Sequence, residues 1–118
     1  MQELINLAMK KAGQSACKYK ISAIALNSKG ETIATAVNKH GQHSTQHSTQ
    51  HSTHYRGIHA EMECLSKCKS TPSSMIICRV NFKGELLPIE PCESCKKMLD
   101  KKGIKVSTVV SEFKIERC

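Results

Sequence analysis

A continuous apolar run at residues 74–80, SMIICRV, constrains the fold of this chain more than any other feature. A run of this kind is typical of a strand that is buried on both faces, which needs a covering layer on each side of its sheet. The segment at 91–102, PCESCKKMLDKK, predicts a helix that opens at a proline and ends before Gly103. The run at 104–110, IKVSTVV, predicts a second strand. Strand, helix and strand in this order indicate a βαβ unit.

The N-terminal half predicts a helix, a hairpin and a second helix. Small or apolar residues recur at four-residue spacing and predict an amphipathic first helix: Leu4, Ala8, Ala12 and Ala16. The runs at 20–27 and 31–37 flank a glycine-containing turn and predict a hairpin. Residues 58–69, IHAEMECLSKCK, have helical spacing. Near the C-terminus, a further strand would have to come from EFKIE at 112–116, reached by a tight turn. We therefore expect an α/β fold.

Length and cysteine content bound the class of protein. The chain has 118 residues, which favours a single domain over 1–118. No apolar run approaches the roughly 20 residues of a membrane span, and Glu3, Asn6 and Lys10 interrupt any secretory signal. We therefore expect a cytoplasmic protein with no membrane partner. In a reducing compartment, a closely spaced cysteine pair indicates a metal site or a catalytic group rather than a disulfide.

Residues 38–57 contain a four-residue repeat, HSTQHSTQHST. Its histidines would share one face of a helix and bind a metal there, but serine, threonine and glutamine are indifferent helix formers. The composition is typical of a solvated loop. We interpret the segment as a flexible loop insertion with adventitious metal affinity only.

Two short motifs carry the chemistry. His59-Ala60-Glu61 opens one predicted helix, and Pro91-Cys92-Glu93-Ser94-Cys95 opens the next. Cysteines three residues apart in the first turn of a helix can face one ion, and the helix dipole stabilises their thiolates. A histidine from a neighbouring helix start makes three protein ligands, which leaves the fourth tetrahedral position of zinc for water, as in catalytic sites.

Glu61 distinguishes this pattern from its alternatives. A carboxylate beside a zinc-activated water can take and redeliver a proton, and H-x-E followed by P-C-x-x-C is the known signature of zinc deaminases. A non-catalytic zinc module would need four protein ligands and gives Glu61 no role. A redox CxxC protein would leave both His59 and Glu61 without one.

Three segments resemble the cytidine/deoxycytidylate deaminase superfamily, and most of all its small phage and bacterial members: ISAIALNSKGETIATAVN, IHAEMECL and EPCESCKKMLDKKGIKVSTVV. The resemblance implies a three-layer α/β/α sandwich around a cytidine-deaminase-like mixed sheet of four to five strands. It makes three residues the ligands of Zn²⁺ and a fourth the proton shuttle: His59, Cys92, Cys95 and Glu61.

The same resemblance implies three substrate contacts. Asn38 matches an asparagine that contacts the substrate sugar, although a turn residue at the end of the strand is the alternative reading. The main chain of Ala60 lies where the family holds the pyrimidine. Tyr55 would stack on base or sugar, or else be an ordinary loop residue.

The expected reaction is hydrolytic deamination of a cytosine-containing nucleoside or nucleotide, of the dCMP or cytidine type, to the uracil form with release of ammonia. The net charge of +8 is also compatible with a base in single-stranded DNA or RNA as the substrate. An aromatic content of only 3% and the short C-terminal tail favour a small molecule. Because family members often assemble, we expect a homo-oligomer.

Overall fold

The protein is described here by a computed structural model that covers residues 2–39, 59–89 and 93–118. These ranges contain three helices: α1 (Gln2–Gly13), α2 (Ala60–Lys67) and α3 (Glu93–Lys101). They also contain six strands: β1 (Lys20–Leu26), β2 (Thr32–Val37), β3 (Ser74–Val80), β4 (Leu86–Leu87), β5 (Lys105–Ser111) and β6 (Lys114–Arg117). The predicted loop at 38–57 falls outside the described residues except for Asn38 and Lys39.

The strands form one mixed sheet in the order β2-β1-β3-β5-β6, with β4 paired to the end of β3. Strand β3 is parallel to β5 and antiparallel to β1, so the predicted βαβ unit is confirmed as β3-α3-β5. The hairpin of β1 and β2 is confirmed as well. The tail pairs with β5 through a tight turn, as anticipated for EFKIE. With β4 and β6 included, the sheet has six strands instead of four to five.

Each face of the sheet carries its own apolar layer, because successive strand residues point to opposite sides. On one face α1 packs against the even-numbered residues of β1 and β3, in a cluster that includes Ile5, Ile24, Ile76, Cys78 and Val80. On the other face α2 and α3 pack against the odd-numbered residues, in a cluster that includes Ala23, Cys64, Met75, Ile77 and Leu99. This arrangement is the expected three-layer α/β/α sandwich.

Two hairpin turns share the sequence Asn-x-Lys-Gly-Glu, at 27–31 and 81–85. In each turn the asparagine Oδ1 accepts hydrogen bonds of 2.9 Å from two main-chain N–H groups. In each, the glycine adopts a positive φ, 82° at Gly30 and 83° at Gly84, which a side chain would disfavour. Strands β3 and β4 are therefore joined by a tight hairpin turn.

Helix α1 is shorter than its apolar stripe suggests. The helix ends at Gly13, and Ala16, the last member of the predicted stripe, is exposed. The N–H groups of Gln14 and Ser15 close the last turn by bonding to carbonyls three residues earlier. Just beyond the helix, Ser15 is buried and bonds to Asn38. No helix in the described ranges is long and apolar enough to cross a membrane.

Candidate metal centre

The sheet topology brings two helix starts to the same edge of the domain. Helix α3 connects β3 to the parallel strand β5, so it begins at the C-terminal end of β3. Strand β2 is parallel to β3 across β1 and ends at the same edge, and α2 begins at Ala60 after it. His59 is the N-cap residue of α2 in an extended conformation, and its side chain makes no capping hydrogen bond. The imidazole can therefore point away from its own helix.

Three ligand-type side chains converge at these helix starts. The ligand atoms of His59, Glu61 and Cys95 all lie within 4.8 Å of one another. The Nδ1 of His59 is 3.3 Å from the Sγ of Cys95. Tetrahedral zinc, with Zn–N near 2.0–2.1 Å and Zn–S near 2.3 Å, holds such a pair about 3.6 Å apart. The imidazole and the thiol are thus spaced as two ligands of one zinc ion would be.

The electrostatic environment also fits a cation. Burial lowers the pKa of His59, and the nearby charge of Glu61 opposes that shift only in part. The imidazole is therefore neutral near pH 7, as a metal ligand has to be. Glu61 is only 4% exposed, and no lysine or arginine of the described ranges forms an ion pair with it. A buried carboxylate without a cationic partner is costly, and a metal ion at the cluster would offset that cost.

Cys95 lies in the first turn of α3 and is 5% exposed. Its thiolate would lie close to the positive end of the helix dipole. Cys92, the other predicted cysteine ligand, lies three residues earlier and outside the described residues, as does Tyr55. The predicted roles of these two residues remain predictions from the sequence.

Asn38 follows β2 at the same edge and is 2% exposed. Its Oδ1 accepts hydrogen bonds from the Ser15 hydroxyl at 2.7 Å and from the Ile21 N–H at 2.9 Å. Its amide nitrogen donates to the carbonyl of Tyr19. The side chain therefore ties the end of β2 to the segment that precedes β1. Ala60 is the first residue of α2 and lies between His59 and Glu61 in the sequence. It is fully buried.

An ion pair that the sequence did not reveal joins the end of β2 to α2. The Nζ of Lys39 lies 2.9 Å from the Oε2 of Glu63. The partners are 24 residues apart, and no local pattern links them. The contact brings Asn38, the neighbour of Lys39, close to the first turn of the helix that carries Glu61.

A neutral imidazole, a cysteine at a helix start and a buried carboxylate on an α/β/α scaffold form a cluster that fits a zinc ion. Residues 1–111 match the family model described as the cytidine and deoxycytidylate deaminase zinc-binding region. The chain belongs to this family, and the expected superfamily is confirmed.

Solved structures with the same fold include two cytidine deaminases. The enzyme from Burkholderia pseudomallei has a TM-score of 0.65 at 14% identity, over 98% of this chain and 89% of that one. The enzyme from Mycobacterium tuberculosis has a TM-score of 0.58 at 16% identity, over 96% and 85% of the two chains. The dCMP deaminase of cyanophage S-TIM5, in its apo form, has a TM-score of 0.55 at 24% identity, over 94% and 87%. Comparison with curated protein sequences gives no match.

Proposed function

We propose that the protein catalyses the zinc-dependent hydrolytic deamination of a cytosine-containing nucleoside or nucleotide. The products are the corresponding uracil compound and ammonia. The convergence of His59, Glu61 and Cys95 within 4.8 Å at two helix starts is the observation that carries the proposal. Membership of the cytidine and deoxycytidylate deaminase family supports the reaction type.

His59, Cys92 and Cys95 are the proposed zinc ligands. Cys92 joins the set because it comes three residues before Cys95, whose thiol belongs to the first turn of α3. A zinc ion bound there supplies Lewis acidity and lowers the pKa of a water molecule toward about 7. The positive end of the α3 dipole stabilises the thiolates, and burial keeps His59 neutral.

Glu61 is the proposed proton shuttle. Its carboxylate takes a proton from the attacking water and delivers it to N3 of the cytosine ring. It then takes the proton of the new hydroxyl at C4 and delivers it to the amine, so that the C–N bond breaks and the C4 carbonyl forms. One water is consumed and one ammonia is released, so the ring gains an oxygen and loses its amino nitrogen. Burial of Glu61 excludes bulk water from these transfers.

Ala60, Asn38 and Tyr55 are the proposed substrate contacts. The main chain of Ala60 would border the pyrimidine. The amide nitrogen of Asn38 carries a second N–H beyond the one that bonds to Tyr19, and this group would donate to the sugar. Tyr55 would stack on the base or the sugar. We further propose that the protein acts in the cytoplasm as a homo-oligomer.

A substrate panel tests the proposal. Zinc-loaded full-length protein is incubated with cytidine, dCMP and a cytosine-containing oligonucleotide, and ammonia release is measured. We expect release from at least one of the two small substrates. Activity on the oligonucleotide alone, falling steeply with salt, would instead favour a base in single-stranded DNA or RNA as the substrate. The net charge of +8 is compatible with that substrate. No release from any substrate, together with four protein ligands on zinc, would indicate a non-catalytic zinc module.

A further inference from the structure

Arg79 occupies an unusual place in the sheet. It is the penultimate residue of β3, at the edge where α2 and α3 begin. Its side chain is on the same face as Met75 and Ile77, which pack against those helices. Its neighbours across the sheet are Ile21 on β1 and Leu87 on β4. A permanently charged side chain thus stands between two apolar ones on the face that carries the metal centre.

Within the described ranges, one donor of the half-buried Arg79 side chain has no partner. This donor is the Nε, which is buried. The ion pairs of those ranges involve only lysines as cations: Lys39, Lys97 and Lys114. An arginine cannot lose its charge in a protein, so an unmet donor of this kind is costly. An acceptor supplied by a ligand would satisfy it.

Tyr19 completes the surroundings of this group. The Cζ of Arg79 lies 4.8 Å from the centroid of the Tyr19 ring, which orients the planar guanidinium by a cation–π contact. The ring is 49% exposed, so the pair can be reached from solvent.

A chain of direct contacts connects this pair to the metal centre. The Tyr19 carbonyl accepts the hydrogen bond from Asn38. Lys39, the next residue, is bonded to Glu63 on the helix of Glu61. Arg79 and Tyr19 therefore lie along the same edge as the proposed base and sugar contacts.

We propose that Arg79, held on Tyr19, is an anion subsite that binds the phosphate of a cytosine nucleotide whose base lies at Glu61. This inference rests on the proposed function, which sets the position of the base at Glu61. The fork of guanidinium N–H groups matches two oxygens of one phosphate, which a lysine would contact only as a point charge. The net charge of +8 attracts such a substrate to the domain.

Calorimetric binding to zinc-loaded full-length protein tests the subsite independently of turnover. The probes are dCMP, deoxycytidine and a short cytosine oligonucleotide, and the variants are R79Q and R79K. The variant R117Q is the matched control, since it removes an equal charge from the exposed strand β6 at the far edge of the sheet. Y19L removes the ring and keeps the main-chain carbonyl that Asn38 binds. Thermal melting establishes that each variant is folded.

We expect wild-type protein to bind dCMP more tightly than deoxycytidine. R79Q should lower the ratio of the dCMP affinity to the deoxycytidine affinity about 10- to 100-fold, because a charge-assisted contact with the phosphate is lost. R79K and Y19L should each lower the ratio by less, and R117Q should keep it. If R79Q does not fold, R79K and Y19L decide the question by the same ratio.

Equal binding of dCMP and deoxycytidine by wild type, or equal weakening of both by the Arg79 variants, would overturn the subsite. A dependence on Arg79 confined to the oligonucleotide would support the phosphate chemistry and identify a phosphodiester as its source. Binding of dCMP that depends on Arg79, without ammonia release from any substrate, would sustain the subsite and refute the proposed function.

Discussion

Replacing Asn38 by alanine should destabilise the protein far more than its position at the end of a strand suggests. The change removes the acceptor of the Ile21 N–H and the donor to the Tyr19 carbonyl, in a place that is 2% exposed. A fully buried main-chain group left unsatisfied costs about 1–3 kcal/mol; because both bonds are partly buried, the two together cost at most about 2–6 kcal/mol. Ser15 adds little, because its hydroxyl also lies 3.0 Å from the main-chain carbonyl of Asn38. A loss of this size is a large fraction of the roughly 5–15 kcal/mol that stabilises a typical domain.

Urea unfolding of N38A and of the matched variant N27A measures the difference. Asn27 makes the same kind of side-chain bonds, to the N–H groups of Lys29 and Glu31, but in an exposed turn where water can replace it. We expect N27A to cost less than about 1 kcal/mol, at an unchanged dependence on denaturant. Equal losses in the two variants, or a loss below about 1 kcal/mol in N38A, would refute the view that Asn38 secures this edge.

Two further predictions concern the buried thiol of Cys78 and the proposed metal ligands. Burial raises the pKa of the Cys78 thiol from 9.0 to about 12. Below pH 9 both states keep this proton, whereas between pH 9 and 12 only the unfolded chain releases it, which lowers stability by about 1.4 kcal/mol per pH unit. In thermal melts from pH 8 to 10.5, C78A should therefore lose stability less steeply than wild type; parallel curves would contradict the assigned burial. At the metal centre, H59A and C95S should lose the tightly held zinc that metal analysis finds after a chelator wash. C118S, at an exposed position, should retain it, and zinc retained by H59A and C95S would exclude these ligands.

Much of the fold is predictable because local sequence patterns indicate its helices and strands. The apolar run of β3, the helix that ends before Gly103 and the strand β5 form the βαβ unit that the periodicity predicts. The end of α1 was not predictable, since Ala16 continues the apolar spacing. The helix ends at Gly13, and Ser15, just beyond it, bonds to Asn38, which is 23 residues away in sequence.

The candidate site is likewise predictable only in part. The pairing of His59 with Cys95 could be anticipated, because both motifs open helices and have recognisable spacing. The contact of Arg79 with Tyr19 could not, since the two residues are 60 positions apart and neither belongs to a motif. Only the register of β1 against β3, which sets Ile21 beside Arg79, brings them together.

The central claim is that Glu61 moves protons at a zinc site, and one comparison tests it most directly. The rate of ammonia release from the best substrate of the panel is measured for zinc-loaded wild type, E61Q and the control E63Q. Glu63 is the same residue type on the same helix, but its carboxylate is bonded to Lys39. We predict that E61Q keeps its zinc and loses about 10²- to 10⁴-fold in rate, whereas E63Q stays close to wild type. An E61Q variant that retains both zinc and full activity would contradict the account.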